Sequence, residues 1–351
     1  METMISSLTP QLVCSIEHAS DVAAARREGQ RLADSLGFDD IRAGKLALIV
    51  TEAATNILKH ADRGVIHIGP SQSSAGVGID VLALDEGPGI ADLAASLVDG
   101  VSTAGTAGTG LGAMRRQADE FDVYSQPGKG SVFFMRLWST APAPDACGVD
   151  VGALMTPLAG EDECGDGWAV RCDDGGAMVL ASDGLGHGPN AARASAAAIG
   201  VFDKPAPPLN AADAVHATHE ALRGTRGAAL AVARLDFAAS ELHYAGIGNI
   251  AGYVYHDTRR ALVSHNGIVG HNMRKVQGFT VPFPPGAICI LHSDGISTQW
   301  DLDKYPGLQG HSPALIAAVL MRDFIRRRDD AMVLVVRRLG HAAAHGVGAA
   351  G

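Results

Sequence analysis

The stretch SDGLGHG, residues 182–188, decides the fold class of the second half of the chain. It directly follows the apolar run Ala177–Ala181. A related stretch, HSDG at residues 292–295, follows a second apolar run, Ala287–Leu291. Carboxylates at the mouths of buried strands repel each other unless a cation or a proton lies between them. The two stretches therefore predict buried strands whose ends carry a cation-dependent site.

Acidic residues recur in such places elsewhere in this half. Besides Asp183 and Asp294, Asp166 follows an acidic stretch, and Asp329 and Asp330 precede the last apolar run. A single Asp-Gly pair is usually only a turn. Four acidic sites, two of them in near-identical Ser-Asp-Gly contexts, favour a metal centre instead. Carboxylate oxygens are the hard ligands that Mg²⁺ and Mn²⁺ prefer.

Short strands dominate the predicted secondary structure of the second half. The predicted strands are residues 168–171, 177–182, 228–236, 241–247, 252–255, 287–293 and 331–337, and the predicted helices are residues 190–201, 211–223 and 313–328. Many strands with a few longer helices indicate a β-sandwich flanked by helices.

The first half mixes helices and strands in blocks. The predicted helices are residues 41–61 and 111–120, the predicted strands are residues 65–68 and 77–84, and a closing hairpin turns at residues 126–130. This order favours an antiparallel sheet covered by helices on one face. Both halves are thus of the α+β class.

The stretch EAATN, residues 52–56, lies within the first predicted helix. Glu52 and Asn56 are four residues apart and therefore share one face of that helix. A polar edge on an amphipathic helix is the alternative interpretation, although burial of the neighbouring apolar side chains does not require a Glu and an Asn there.

Two glycine-rich stretches follow. DEGPG, residues 85–89, places a carboxylate at a strand end, where it suits recognition of an amino-bearing ring, although the same letters make a good simple turn. STAGTAGTGLG, residues 102–112, leads into a helix, so its backbone N–H groups could face phosphate; a merely flexible loop is the alternative. It fits neither the dinucleotide fingerprint nor the P-loop.

Taken in order, EAATN, DEGPG, TGLG and the GKGS of residues 128–131 resemble the GHKL ATPase superfamily over about residues 10–138. The likeness is nearest to the small serine kinases of bacterial partner-switching systems, and within them to the switch kinases rather than the anti-sigma factors. The resemblance implies a Bergerat-type α/β sandwich that binds ATP and Mg²⁺.

The same resemblance implies a role for each matching residue. Glu52 would be the general base that takes the proton from a substrate hydroxyl, Asn56 would hold Mg²⁺, and Asp85 would accept from the adenine amino group. The remaining implied nucleotide contacts are Gly87 and Gly89 around the adenine, Thr109, Gly110, Leu111 and Gly112 at the phosphates, and Ser131 near the base.

The acidic stretches resemble the PPM, or PP2C-type, phosphatases of the bacterial sporulation and stress-response branch, over about residues 150–338. The resemblance implies that Asp183 bridges two metal ions, that Asp166 and the Gly184 carbonyl complete one site, and that Asp294 and Asp329 complete the other. The chain departs from the family pattern at residues 329–332, DDAM, where a hydroxyl residue is missing. Asp330 therefore remains an alternative ligand to Asp329.

The expected organisation is a kinase-like domain at residues 1–138, a Pro/Ala-rich linker at 139–148, a phosphatase domain at 149–339 and a tail at 340–351. The net charge of −10 argues against nucleic acid and anionic membrane as partners. The five cysteines form no C-x-x-C pair and are predicted to be reduced thiols in a cytoplasmic protein.

These observations give a hypothesis of function with two alternatives. The chain would phosphorylate a Ser or Thr of a STAS-type antagonist or scaffold with one half, and remove such a phosphate with the other, in a sigma-factor stress-response pathway. Alternatively, the first half binds ATP only to dock a sigma factor, an activator or a downstream phosphatase. Hydrolysis of a small phosphorylated metabolite is the third possibility, which the lack of an obvious basic pocket disfavours.

Overall fold

A computed structural model describes residues 3–7, 11–61, 63–71, 73–96, 110–143, 147–204, 210–273 and 275–340. Of the predicted site residues, Thr109 lies outside these ranges. No helix within them combines the length and apolar character that crossing a bilayer requires.

The helices are numbered in chain order. They are α1 (Ala19–Ser35), α2 (Asp40–His60), α3 (Leu93–Ser96), α4 (Gly110–Gln117), α5 (Pro189–Phe202), α6 (Ala211–Ala221) and α7 (Pro313–Phe324), with 3₁₀ turns at Leu302–Lys304 and Leu308–Gly310. The predicted helix at 111–120 was too long at its end, because Glu120 already pairs with Arg136 in the closing hairpin.

The strands follow the same numbering. They are β1 (Thr3–Ser7), β2 (Leu12–Ile16), β3 (Gly64–Pro70), β4 (Gly78–Asp85), β5 (Glu120–Gln126), β6 (Gly130–Trp138), β7 (Val149–Thr156), β8 (Asp166–Asp173), β9 (Gly176–Gly184), β10 (Ala228–Asp236), β11 (Glu241–Ile247), β12 (Ala251–Tyr255), β13 (Arg259–Leu262), β14 (Phe279–Pro282), β15 (Ile288–His292) and β16 (Ala331–Arg338).

The N-terminal half is an antiparallel sheet in the order β2-β3-β4-β6-β5. The helices α1, α2 and α4 cover one face, where Leu46 and Ile49 of α2 pack with Ile66 and Val81 of the sheet. Burial of this apolar stripe holds the helix in place. The prediction of a sheet covered by helices on one face is confirmed.

The C-terminal half is a sandwich of two sheets, ordered β1-β8-β9-β10-β11-β14 and β13-β12-β15-β16-β7. Its core contains Trp168 and Tyr244 from the first sheet and Leu334 from the second. The helices α5 and α6 pack on the outside of the first sheet, and α7 packs on the outside of the second. The predicted helix-flanked β-sandwich is confirmed.

The start of the chain belongs spatially to the C-terminal sandwich. The strand β1 pairs antiparallel with β8, with Thr3 opposite Cys172 and Ser7 opposite Trp168. The predicted first domain began at residue 1, but these residues extend the sheet of the other half. A domain boundary at residue 138 therefore leaves residues 3–7 in the first domain, although they pair with the sheet of the second.

The two halves share a hydrophobic core through α7. Leu82 and Phe134, on the sheet face that α1 and α2 leave open, belong to one buried cluster with Leu315 of α7 and Val333 of β16. Burial of apolar side chains from both halves in one cluster stabilises their association.

Polar contacts hold both ends of α7 against the N-terminal sheet. Asp122 accepts from the backbone N–H of Ser312 at 2.8 Å and bonds to Nδ1 of His311 at 2.7 Å. At the other end, Arg322 donates from Nη1 to the carbonyl of Asp85 at 3.2 Å. The first of these bonds satisfies an N–H group at the start of the helix, which has no partner within the helix.

One prediction about the cysteines was wrong. Cys147 and Cys172 form a disulfide, whereas Cys14, Cys164 and Cys289 are free. The two bonded residues lie 25 positions apart in the chain, so no short-range spacing revealed the pair. They meet because the end of the linker runs beside β8.

Candidate functional site

The first site is built on α2. Asp39 caps this helix by accepting from the backbone N–H of Arg42 at 2.7 Å. Glu52 and Asn56 are half-buried on the helix, and the side-chain nitrogen of Asn56 is buried without a hydrogen-bond partner among the described residues. A buried unpaired amide is costly unless a ligand or water satisfies it. Asn56 is therefore suited to contact a bound group.

Asp85 ends β4 beside this helix. Its Oδ1 accepts from the backbone N–H groups of Gly87 at 2.8 Å and Ser131 at 3.2 Å. Burial raises the pKa of Asp85, and these two hydrogen bonds oppose the rise. Within the described residues Oδ2 has no protein donor, so it can accept from an external amino group.

The hairpin turn between β5 and β6 packs directly on the loop after Asp85. Gly128 donates to the carbonyl of Pro88 at 2.8 Å. Gly130 has a φ of +85°, and a Cβ there would lie 2.0 Å from the Asp85 carbonyl oxygen. A side chain at this position would therefore push the carboxylate out of place. The motifs DEGPG and GKGS are thus in direct contact.

Part of the glycine-rich stretch of residues 102–112 lies in the described structure. Gly110, Leu111 and Gly112 form the first turn of α4, and Leu111 packs against the N-terminal core. Because α4 packs on α2, this helix start lies on the same side of the sheet as Glu52 and Asn56. The N-terminus of α4 supplies unpaired N–H groups.

The second site begins with a cross-strand pair of carboxylates. Asp166 at the start of β8 lies directly opposite Asp183 near the end of β9. Asp166 is almost completely buried, its Oδ2 accepts from the Ser293 hydroxyl at 2.7 Å, and its Oδ1 is buried without a partner among the described residues. Burial, and next the charge of Asp183, raise the pKa of Asp166 well above its usual range.

Asp183 is the electrostatic centre of this group. Its pKa is raised to about 7, first by burial and then by the charges of Asp294, Asp329 and Asp330, and the backbone N–H of Asp294 opposes the rise by donating to it. Like charges raise a carboxyl pKa because ionising one disfavours ionising the next. Gly184, which follows directly, donates its N–H to the Gly165 carbonyl at 3.0 Å.

Asp329 and Asp330 have different environments. Asp330 is buried and accepts from the backbone N–H groups of Leu158 and Gly165, each at 2.7 Å, through its two oxygens. Asp329 accepts only from the N–H of Asp330 at 2.9 Å, through Oδ1. The carboxylate of Asp330 thus links three segments of the chain. One oxygen of Asp329 accepts no hydrogen bond from any described residue.

Two family models match the chain. The histidine kinase-like ATPase domain matches residues 17–137, and the stage II sporulation protein E family matches residues 173–339. The serine/threonine-protein kinase RsbT of Bacillus subtilis (strain 168) is 36% identical over 118 residues, which cover 34% of this chain and 89% of RsbT. The chain belongs to the RsbT kinase family and carries a SpoIIE-type phosphatase domain.

A second curated protein and a solved structure are also similar to parts of this chain. The phosphoserine phosphatase RsbX of Bacillus subtilis (strain 168) is 23% identical over 140 residues, covering 39% of this chain and 70% of RsbX. A structure described under the bacterial stressosome, a modular system adapted to control secondary messenger signalling, shares 29% identity with a TM-score of 0.50; the match covers 54% of this chain and 99% of that one. The C-terminal domain is thus a PP2C-type serine/threonine phosphatase, and the RsbT-type domain is kinase-like.

The acidic group of the phosphatase domain fits divalent metal ions by donor chemistry. Its acidic side chains offer carboxylate oxygens, one of them buried and unpaired among the described residues, which match Mg²⁺ and Mn²⁺. In the described ranges no three acidic, His or Cys side chains already surround a single point, so side chains must adjust on binding. His292 takes no part, because Ser293 and Trp300 occupy both of its ring nitrogens.

Two functional residues were missed or undervalued by sequence reasoning. Asn249 was not singled out as a site residue in the sequence, but its Nδ2 donates to Oδ2 of Asp294 at 2.6 Å and so orients that carboxylate. Ser293 was interpreted only as part of Ser-Asp-Gly, yet its hydroxyl also accepts from the N–H of Met332 at 2.9 Å while donating to Asp166. A recurring Ser before Asp was the available signal for the second.

Proposed function

We propose that the chain is a bifunctional regulator of a partner-switching stress-response pathway. The RsbT-type domain phosphorylates a Ser or Thr of a STAS-domain antagonist or scaffold with ATP, and the phosphatase domain hydrolyses phosphoserine or phosphothreonine on such a regulator. The observation that carries the phosphatase half is the pair Asp166–Asp183, with a buried, unpaired oxygen beside a carboxyl group of strongly raised pKa.

In the phosphatase domain, Asp166, Asp183 and the Gly184 carbonyl would hold one ion, and Asp183, Asp294 and Asp329 would hold the other. Asp329 is favoured over Asp330 because backbone N–H groups already engage both oxygens of Asp330. Bound Mg²⁺ or Mn²⁺ supplies an activated water and neutralises the phosphoryl oxygens.

The protein groups around these carboxylates keep them in place for metal binding. Ser293 holds Asp166 through its hydroxyl, and Asn249 holds Asp294 through its amide. Such contacts from outside the ligand set fix the orientation of the ligating oxygens. Neither residue needs to touch the substrate.

In the RsbT-type domain, Glu52 takes the proton from the substrate hydroxyl and Asn56 holds Mg²⁺. Asp85 accepts from the adenine amino group through Oδ2. The other nucleotide contacts are Gly87, Gly89, Ser131, Thr109, Gly110, Leu111 and Gly112. The free Oδ2 of Asp85 supports the adenine contact. The unpaired Asn56 nitrogen is a hydrogen-bond donor suited to a phosphate oxygen, whereas Mg²⁺ would be held by the amide oxygen of Asn56.

A second candidate function shares the ATP site but not the transfer. The RsbT-type domain would bind ATP and dock a sigma factor, an activator or a downstream phosphatase. The half-buried Glu52 beside Asn56 favours transfer, because a module that only docks partners needs no base at this position. A cytoplasmic location is part of either proposal.

Incubation with ATP labelled at the γ-phosphate and a purified STAS-domain protein separates the two candidates. We expect label on the STAS protein with the wild-type chain and none with Glu52→Gln, while both variants retain ATP binding. Glu28→Gln, which changes a half-buried residue paired with Arg31 on α1, should transfer as well as wild type. ATP binding without any transfer by the wild-type chain would favour the docking module.

A further inference from the structure

Arg226 lies beside the loop that follows Asp183, although it is distant from Asp183 in sequence. Ala229 pairs with Asp183 and Ala228 pairs with Gly184, and the Leu185 N–H continues the ladder by donating to the Gly227 carbonyl at 2.9 Å. The antiparallel register thus brings Arg226 opposite Gly186, three residues beyond Asp183.

The guanidinium group rests against the loop that follows the Asp183 strand. Its Nη1 lies 3.0 Å from the position that a Cβ on Gly186 would take, and Gly186 has a φ of +87°. On its other side, the Gly186 carbonyl faces Gly165, whose N–H donates to Asp330. Gly186 therefore lies between Arg226 and Gly165, the residue whose N–H group holds Asp330.

Arg226 is exposed, and no described residue forms a hydrogen bond or an ion pair with its guanidinium. Nearby arginines differ in this respect: Arg223 pairs with Glu220 at 3.0 Å, and Arg234 binds both oxygens of Asp173. Among the described residues, the donors of Arg226 therefore remain free.

The backbone that carries Arg226 is firmly held. Thr225 donates from its hydroxyl to the Leu222 carbonyl at 2.7 Å and accepts from the Gly227 N–H at 3.0 Å. The ring of His271 bonds to the Thr225 carbonyl at 3.1 Å. These bonds fix the origin of the side chain, so less freedom is lost when it meets a ligand.

We propose that Arg226 binds the phosphoryl group of the phosphoserine or phosphothreonine substrate. The inference rests on the proposed phosphatase function. Once metal ions neutralise the carboxylates, the phosphoryl oxygens that face away from the ions still need donors. A planar guanidinium with free N–H groups can donate two parallel hydrogen bonds to two such oxygens, a fixed geometry that an ammonium group does not offer. Arg226 would thus orient the phosphorus for attack.

Phosphatase kinetics with Mn²⁺ and p-nitrophenyl phosphate test this role. For Arg226→Ala we expect kcat/KM to fall about 10- to 100-fold and the inhibition constant of inorganic phosphate to rise by a similar factor, as loss of a charge-assisted pair predicts. Arg226→Lys should have a kcat/KM and a phosphate inhibition constant between those of wild type and Arg226→Ala. Mn²⁺ affinity should stay unchanged, because Arg226 donates to substrate and not to the metal ligands.

Arg223→Ala is the matched control, since it removes a guanidinium from the same loop that is already ion-paired. If Arg226→Ala and Arg223→Ala show the same kcat/KM and the same phosphate inhibition, the inference is overturned. Failure of the wild-type chain to hydrolyse with Mn²⁺ would instead reject the proposed function. In that case, calorimetric titration of the Mn²⁺-treated variants with inorganic phosphate still tests Arg226, and equal phosphate affinities would overturn it.

Discussion

Replacement of Asp183 by Asn should make the metal-free protein more stable at pH 8, although it should abolish phosphatase activity. Asp183 lies opposite Asp166 and near Asp294 and Asp329, and without metal these carboxylates repel one another. An Asn at this position removes one charge and keeps an oxygen that can accept from the Asp294 N–H. Without metal, the acidic group therefore lowers the stability of the folded state.

The size and sign of this effect follow from the pKa of Asp183. The ordinary value of 3.8 applies to the unfolded chain, and the folded value is about 7. The folded state therefore holds the proton more tightly, so its stability is complete below about pH 4 and is lost as the pH rises through 7. At roughly 1.4 kcal/mol per pH unit, Asp183→Asn should recover up to about 4 kcal/mol at pH 8 and almost nothing at pH 4.

Urea unfolding in EDTA at pH 5 and pH 8 measures this difference. Asp173→Asn is the control, because the Arg234 hydrogen bond lowers the pKa of Asp173 and its loss should reduce stability at pH 8. With Mn²⁺ added, the wild-type chain should gain stability and Asp183→Asn should gain little. An Asp183→Asn variant that is less stable than wild type in EDTA at pH 8 would refute the electrostatic reasoning.

Three further changes test other parts of the structure. Arg136→Met leaves the buried Asp80 without its partner and should cost about 3–5 kcal/mol in urea unfolding; a cost below about 1 kcal/mol would contradict the ion pair. Asp122→Ala removes the bonds to the start of α7 and should lower the free energy of unfolding by about 2 kcal/mol. Both halves of the wild-type chain should unfold in one calorimetric transition, and two separate transitions would contradict the shared core. Asn249→Ala frees Asp294 and should weaken Mn²⁺ binding about tenfold, and unchanged calorimetric affinity would exclude this role.

The sequence predicted the C-terminal sandwich well because its strands are apolar and regularly interrupted by turns. The strands β10 and β11 have the predicted limits, and α7 begins at the predicted residue, capped by Ser312, which accepts from the Leu315 N–H. The strand β1 could not be predicted. Its sequence is short and partly polar, and its partner β8 lies more than 160 residues away in the chain.

The residue types of the candidate site could be predicted from the sequence, but the positions of these residues relative to one another could not. Asp166 and Asp183 were identified separately, whereas their direct opposition depends on strand register. The different surroundings of Asp329 and Asp330 depend on distant segments that donate to only one of them. No local sequence pattern pointed to Arg226, because only the pairing of β9 with β10 brings it beside the loop that follows Asp183.

Calorimetric titration with Mn²⁺ tests most directly whether the acidic group is a two-metal centre separate from the ATP site. We predict that the wild-type chain binds two Mn²⁺ ions, that Asp183→Asn loses both, and that the variant still binds ATP with wild-type affinity. Equal Mn²⁺ binding by the two proteins, or loss of ATP binding in a folded Asp183→Asn variant, would contradict two independent phosphate-handling sites on this chain.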